Sequence, residues 1–282
     1  MMNHDYKRIL VVQDISCVGQ CSLTVALPIL SACGHECCIA PTAILSTHTA
    51  AGFHGFTFRD LTDDIPAILA HWQKEGITFD ALYTGYLGST RQVEMVEQIM
   101  DTLIAPGGVK FVDPAMADNG KLYVGFDDDY VAAMRRLCAR ADIILPNITE
   151  AAFLTGQPYS EAHSEDYISD LMKGLSEVSS AAVVLTGVSY EPDVIGAMSA
   201  KGGEARYYGR HLIPQMFHGT GDVYASAFTG AYLRGYSLHD AAAIAVDFTL
   251  AAIENTVGAP EHWYGVRFEP VLPVLIERLK KG

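Results

Sequence analysis

No G-x-x-x-x-G-K-[ST] motif occurs in the 282 residues, which excludes a P-loop as the means of holding a phosphate. Gly219-x-Gly221 lacks the third glycine of a dinucleotide fingerprint and follows no clear strand, so a Rossmann site is disfavoured as well. Basic charge is scarce: 19 Lys and Arg against 33 Asp and Glu leave a formal charge of −14. Without a basic stripe, neither nucleic acid nor an anionic membrane surface is an expected partner. Long apolar runs are missing too. The longest, around residues 23–33, is too short to span a bilayer, and the N-terminus carries no apolar stretch with a small-residue cleavage site, so the expected location is cytoplasmic. The two C-x-x-x-C spacings, Cys17 to Cys21 and Cys33 to Cys37, lack the histidines or second cysteine pair that would complete a zinc site, so the six cysteines read as reduced thiols. Repeats, low-complexity tracts and linkers are also absent. Residues 1–282 therefore read as a single domain, half hydrophobic and able to bury a large core.

What is present is an alternation of strands and helices. Ile9-Leu10-Val11-Val12 is an unbroken aliphatic run, the pattern of a strand covered on both faces, and it ends at Gln13-Asp14. A helix bent at Pro28 and closed by Gly34 is expected next, then a strand over about 37–41. Further strands are expected over 79–84, 109–112, 143–145 and 182–187, with helices between them. The rhythm then changes to an antiparallel hairpin over about 194–208, and the rest reads as helices over about 222–235, 237–254 and 271–281. The third-last and second-last helices are rich in small apolar residues, and the stretch 241–252 is expected to be buried. The fold class is α/β with a mostly parallel central sheet.

In such sheets ligands gather beyond the carboxyl ends of the strands, and those ends carry the polar residues of this chain. Asp14 follows the first strand. The loop Ser46-Thr47-His48-Thr49 follows the second, where His48 is either solvated or part of a pocket wall. Tyr86 lies in Gly85-Tyr86-Leu87-Gly88-Ser89 after the strand at 79–84. Asp113 and Asp118 share one post-strand loop, which suits either water-mediated contact to magnesium or a plain solvated turn. In Pro146-Asn147-Ile148-Thr149-Glu150, Thr149 is expected to cap the next helix, leaving Asn147 and Glu150 to face one crevice.

The most concentrated signal is His218-Gly219-Thr220-Gly221-Asp222, a small-residue turn running into an apolar helix. Two glycines let the backbone point successive N–H groups into one concavity, and the helix adds its positive end. That suits an anion. A carboxylate there works against anion binding unless it has another task, and general-base action on an attacking alcohol is one; a helix cap is the other.

This turn resembles the G-T-G-D signature of the ribokinase superfamily. Over nearly the whole chain, the order of Ser46-Thr47-His48-Thr49, Thr84 to Ser89, Asp113-Pro114 with Asp118-Asn119-Gly120-Lys121, Pro146-Asn147-x-x-Glu150, Thr186 and Gly219 to Asp222 resembles the pyridoxal kinase group, close to bacterial pyridoxamine kinases. The resemblance implies a ribokinase-like three-layer α/β/α fold with a small antiparallel hairpin. It implies ATP-dependent phosphorylation of the 5'-hydroxymethyl group of a B6 vitamer, with Asp222 as base and Gly219, Thr220 and Gly221 forming the anion hole. By the same resemblance Asp113, Asp118 and Glu150 hold magnesium. Asn147, Thr186, Gly219 and Gly221 contact the nucleotide, and the stretch 208–213 borders adenine. Asp14, Thr47, His48, Thr49 and Tyr86 line the acceptor pocket. A homodimer is implied as well, and a monovalent cation such as K⁺ stays open.

Two departures stand out. Many pyridoxal kinases have Gln-Ser where this chain has Gln13-Asp14, which leaves the choice among pyridoxal, pyridoxamine and pyridoxine open; replacing Asp14 by Ser is expected to alter vitamer preference more than nucleotide affinity. Ala117 replaces a common glycine in the Asp-Pro loop. Rival readings are a hydroxymethylpyrimidine kinase, a sugar kinase, an ATP-dependent dehydratase of hydrated nicotinamide nucleotides, and a non-catalytic B6-binding protein.

Overall fold

The computed structural model describes residues 6–49 and 52–280. Its N-terminal part runs β1 (Arg8–Ser16), α1 (Leu23–Ala32), β2 (Glu36–Leu45), β3 (Phe58–Asp60), α2 (Ile65–Lys74), β4 (Phe79–Thr84), α3 (Thr90–Thr102) and β5 (Ile104–Val112). The middle holds β6 (Ala117–Asp118), β7 (Lys121–Leu122), α4 (Asp128–Ala139), β8 (Ile143–Ile144), α5 (Ile148–Thr155) and α6 (Glu165–Val178). Then come β9 (Ala182–Glu191), β10 (Val194–Lys201), β11 (Glu204–His211), α7 (Thr220–Leu233), α8 (Leu238–Thr256) and α9 (Leu272–Leu279).

Among the described residues one large sheet has the order β11-β10-β9-β8-β5-β4-β1-β2-β3. Its centre, β9 to β2, pairs in parallel, and β10 and β11 add the expected hairpin in antiparallel sense. The two-residue side-chain period of a strand sorts β1 between two cores. Leu10 and Val12 pack with buried residues of α2 to α6, whereas Ile9 and Val11 pack with α1, α7, α8 and α9. That is why the run Ile9 to Val12 is apolar without alternation, and it makes the fold three-layered. Each such fully buried aliphatic side chain contributes ~1.5–3 kcal/mol.

Small residues bring α7 and α8 close to their neighbours. A Cβ on Gly230 would lie 2.3 Å from the Cys33 sulfur, so glycine is what lets α7 cross α1 at this distance. The stretch Ala241 to Ala245 is buried, as its composition implies. The described cysteines are free thiols, and among the described residues no helix is long and apolar enough to cross a membrane.

Several expectations need correction. β1 continues to Ser16, so Asp14 lies inside the strand, at an irregularity in the β1–β2 register between Gln13 and Ile15. Bulges of this kind re-aim one side chain, which the sequence pattern does not reveal. β2 likewise extends to Leu45, and β3 adds an antiparallel edge strand. The hairpin of β6 and β7 was not anticipated because two-residue strands carry no readable period. Asn147, not Thr149, caps α5: its side chain accepts from the Glu150 N–H while Glu150 accepts from the Asn147 N–H. Thr149 instead accepts from the Gly120 N–H, tying the β6–β7 turn to α5. The expected helix end at 281 and loop positions 50 and 51 lie outside the described residues.

Candidate active site

The two glycines before Asp222 have different reasons to be glycine. Gly219 adopts φ 78° as the N-cap of α7, and a Cβ there would sit 1.9 Å from the Gln20 carbonyl oxygen. It is required both by its left-handed backbone and by the close approach of the loop 17–22. Gly221 has an ordinary backbone, and a Cβ on it would meet nothing within 4 Å. The space over the start of α7 is therefore open. The first main-chain bond of the helix runs from the Val223 N–H to the Gly219 carbonyl, which leaves the preceding N–H groups facing that opening.

Asp222 lies two residues into α7 and is not its cap, so the cap reading of this residue fails. Its Oδ2 instead accepts from the main-chain N–H of Ser22, 200 residues away in the chain, at 3.0 Å. The residue as a whole is partly buried, but its carboxylate is desolvated. Burial pushes its pKa up to about 7; the Ser22 N–H opposes this and the neighbouring Asp14 charge adds to it.

A second pair of acids stands beside it. Glu150 is 3% exposed; its Oε1 accepts from the Met116 N–H at 3.1 Å and its Oε2 from the Asn147 N–H at 2.8 Å. Burial still pushes Glu150 up to about 7 against those N–H groups, with Asp118 adding to the rise. Asp113, half-buried at the end of β5, is held well above the carboxylate range by burial and then by the charges of Glu150 and Asp222. The structure thus gathers Asp113, Glu150 and Asp222 into one field, although they follow β5, α5's cap and the far glycine turn. Asp118 is exposed at the tip of the β6–β7 turn, where its carboxylate accepts from Asn119. Among the described residues no three acids, histidines or cysteines close on one point as a ready-made cage. Asn147 donates through Nδ2 to the Ala117 carbonyl and bridges to Thr186, which places Thr186 beside the same crevice.

The remaining expected residues lie on the β1–β2 side. Asp14 is buried, and both of its oxygens accept from serine hydroxyls: Ser22 at 2.6 Å and Ser16 at 2.9 Å. Burial raises its pKa, the two serines oppose that rise, and the His48 ring is near enough to lower it further. His48 is not solvated. It is buried, donates from Nε2 to the Tyr264 carbonyl at 2.7 Å, and lies 5.2 Å from the His218 ring. Tyr86 is half-buried and stacks on Phe126 with ring centroids 5.6 Å apart. Thr47 has a buried hydroxyl without a partner among the described residues, and Thr49 is exposed.

Sequence reasoning missed Ser22, Ser16 and Tyr123. Tyr123 follows β7 and is exposed as a residue, and its phenol is pushed up by partial burial and then by the charges of Glu150, Asp118, Asp113 and Asp222, so it belongs to the field of the acid group. Only the fold of the β6–β7 turn puts it there; nothing in Leu122-Tyr123-Val124 signals it. Buried Tyr83 lies near Gln13 and Ser226 and within the field of Asp113 and Asp222. A Cβ on Gly85 would lie 2.5 Å from Gln13 Oε1, so Gly85 makes room for that amide.

Chemically, an open helix start able to take an anion lies beside carboxylates, and among the described residues no lysine or arginine is among the causes that shift Asp113, Glu150 or Asp222. The model of one protein family, described as phosphomethylpyrimidine kinase, matches residues 27–266. A crystal structure of pyridoxal kinase from Lactobacillus plantarum is similar with a TM-score of 0.89 and 34% identity, covering 96% of this chain and 97% of that one. A Bacteroides thetaiotaomicron protein, provisionally assigned as a phosphomethylpyrimidine kinase and crystallised with pyridoxal, is similar with a TM-score of 0.89 and 38% identity, covering 95% of each chain. The hydroxymethylpyrimidine/phosphomethylpyrimidine kinase of Bacillus subtilis is 28% identical over 229 residues, 78% of this chain and 79% of its own length.

Proposed function

We propose that this chain, which belongs to the phosphomethylpyrimidine kinase family, transfers the terminal phosphoryl group of ATP to the 5'-hydroxymethyl oxygen of a B6 vitamer. The observation that carries the reading is Asp222, a carboxylate pushed up to about 7 and set beside an open glycine turn at a helix start. A base near neutrality both exists ionised and takes a proton readily at working pH.

In the transfer, Asp222 accepts the hydroxyl proton as the alcohol oxygen bonds to phosphorus. The bond from that phosphorus to the bridging oxygen breaks, and ADP leaves. The N–H groups of Gly219, Thr220 and Gly221 hold the phosphoryl oxygens while charge shifts across them. A positioned base contributes ~10²–10⁴-fold, and one preorganised donor about 10²–10³-fold.

Asp113, half-buried, lies near the buried Glu150, and besides burial the causes that shift them are other acids and N–H groups. That fits a cation brought in with the nucleotide: Asp113, Asp118 and Glu150 would hold magnesium, largely through its waters. When bound, magnesium supplies positive charge to the phosphate oxygens. Asn147 and Thr186 border the nucleotide. Tyr86, steadied by its stack on Phe126, would offer a flat face to an aromatic acceptor, and Thr47, His48 and Thr49 would line the same pocket. The pyridoxal held by the Bacteroides thetaiotaomicron relative supports a pyridine acceptor.

A second reading, phosphorylation of a hydroxymethylpyrimidine, is favoured by the description of the matching family and by the Bacillus subtilis relative. Incubation with magnesium-ATP and pyridoxal, pyridoxamine, pyridoxine or the pyrimidine alcohol, followed by product mass, separates the two. Phosphate on a vitamer supports the first reading and phosphate on the pyrimidine alone the second. Phosphate on none of the four overturns both.

A further inference from the structure

Ser22 holds two carboxylates with two different groups. Its main-chain N–H donates to Asp222 Oδ2 at 3.0 Å, and its hydroxyl donates to Asp14 Oδ1 at 2.6 Å. Asp14 in turn is fixed from its other oxygen by Ser16 at 2.9 Å.

The backbone of Ser22 shows that this arrangement is imposed. Its φ of 58° with ψ of −131° is a conformation essentially reserved for glycine, and such outliers cost roughly 1–3 kcal/mol unless their surroundings hold them. Ser22 is also the N-cap of α1, yet its hydroxyl makes no capping bond, forgoing ~1 kcal/mol that a serine there ordinarily supplies. The surroundings do hold it. Ser22 bridges to Ile15 of β1, and the Gln20 carbonyl lies where Gly219 leaves space for it. The Gln20 amide donates to Glu269, and Gly265 is packed against Gln20 and Gly19. Loop 17–22 is thus clamped against the glycine turn.

We infer that Ser22 is a positioning residue that couples Asp14 to Asp222, so that Asp14 acts on the transfer through Ser22 and the base rather than by touching the acceptor ring. The inference rests on the reading of Asp222 as base. Fixing Oδ2 by the Ser22 N–H leaves Oδ1 to meet the alcohol. Anchoring the serine hydroxyl on Asp14 keeps the N–H aimed, because rotation of the loop would break both bonds together. Asp14 also places a negative charge near the base and disfavours its ionised form. The other titratable groups in the field of Asp222 are Cys21 from the same loop, Tyr83 from β4, Asp113 after β5 and Tyr123 after β7. Cys21 directly precedes Ser22 and also feels Asp14, so the Asp222 signal is read from its own assigned carboxyl; Tyr83, Asp113 and Tyr123 make no hydrogen bond to Ser22 among the described residues.

The test compares Asp14→Asn, Ser22→Ala, the double variant and Ser22→Gly with the wild type. In Asp14→Asn we expect kcat to fall tenfold or more, with KM for ATP and for the acceptor within threefold. The acid limb of kcat/KM should move to lower pH as the neighbouring charge is removed. The double variant should lose no more than the worse single one, because both changes act on one bond: Asn weakens it by removing the charge of the acceptor and Ala removes its donor. Ser22→Gly keeps the N–H and relaxes the backbone, so its thermal midpoint should hold or rise while kcat falls; this separates positioning from misfolding. A tenfold rise in acceptor KM with kcat and the pH limb unmoved would show direct ring contact and overturn the inference, as would fully additive losses. A carbon-13 titration of the Asp222 carboxyl, assigned with Asp222→Asn, needs no acceptor. If no vitamer is phosphorylated, that titration still decides: a shift of the Asp222 midpoint on Asp14→Asn that is the same with Ser or Ala at position 22 refutes the coupling, and a shift that differs between the two upholds it.

Discussion

Replacing Asp222 by Asn should cost activity and add stability at the same time. Asn keeps the shape and the acceptor for the Ser22 N–H, so the 3.0 Å bond survives. What it removes is an ionisable group whose pKa is 3.8 in an ordinary setting and about 7 in the fold. That difference, at ~1.4 kcal/mol per pH unit, corresponds to about 4 kcal/mol of destabilisation of the folded state once the group is ionised in it. Because Asp222 is only partly buried, solvent at the open mouth screens some of this, and about half is a fair expectation. The sign follows from linkage. A carboxyl raised in the fold favours the folded state below its unfolded pKa, and that contribution is lost as pH climbs towards about 7. At pH 8 the variant should therefore unfold at higher denaturant than the wild type by about 2 kcal/mol, while between pH 5 and 8 its stability should vary less. Turnover should fall by ~10²–10⁴ through loss of the base. Denaturant melts at both pH values and kcat with the best acceptor supply the readings. Near-normal turnover would falsify the base assignment, and equal stability at pH 8 would refute the argument from desolvation.

Three further outcomes are expected. Gly221→Ala should fold normally, since its Cβ meets no protein atom, but should weaken the anion cradle and lower kcat/KM; Gly219→Ala should instead destabilise the fold through its backbone conformation and the Gln20 carbonyl, and melting curves beside rate constants tell these apart. The kcat/KM profile should fall about tenfold per pH unit below about 7, as the base of the free enzyme becomes protonated; a profile flat to pH 5 would sink that expectation. Asp113→Asn should raise the thermal midpoint at pH 8 without divalent ions and shrink the midpoint rise that magnesium gives the wild type, because it relieves the repulsion that the cation otherwise neutralises.

The order of motifs and the hydrophobic runs were enough to read most of the architecture. Ile9 to Val12 announced a doubly covered strand, and Ala241 to Ala252 a buried helix, because burial on both faces removes the need for alternation. Gly219-Thr220-Gly221-Asp222 announced a tight turn into a helix, and the structure shows a left-handed Gly219 at the start of α7. Residues whose role comes from local backbone chemistry were therefore legible. The capping box of Asn147 and Glu150 was readable in principle, its three-residue spacing being the signature, but Thr149 is also a good cap and competed for the assignment.

Long-range hydrogen bonding was not legible. Nothing in Cys21-Ser22-Leu23 indicates that its N–H will meet Asp222, because that bond depends on how α1 and α7 cross at Gly230 and on the backbone of loop 17–22. Nor does composition show that Asp14 will be turned by a bulge towards two serines, or that Tyr123 will fall within the field of the acids. The sequence alone determined which strands form, which side chains they carry at their ends and where a glycine turn opens a helix, since these depend on periodicity and neighbouring residues. Only the tertiary structure decided how strongly those carboxylates are perturbed and which of them touch. Desolvation and charge proximity are properties of distances across the fold, and no local pattern encodes them.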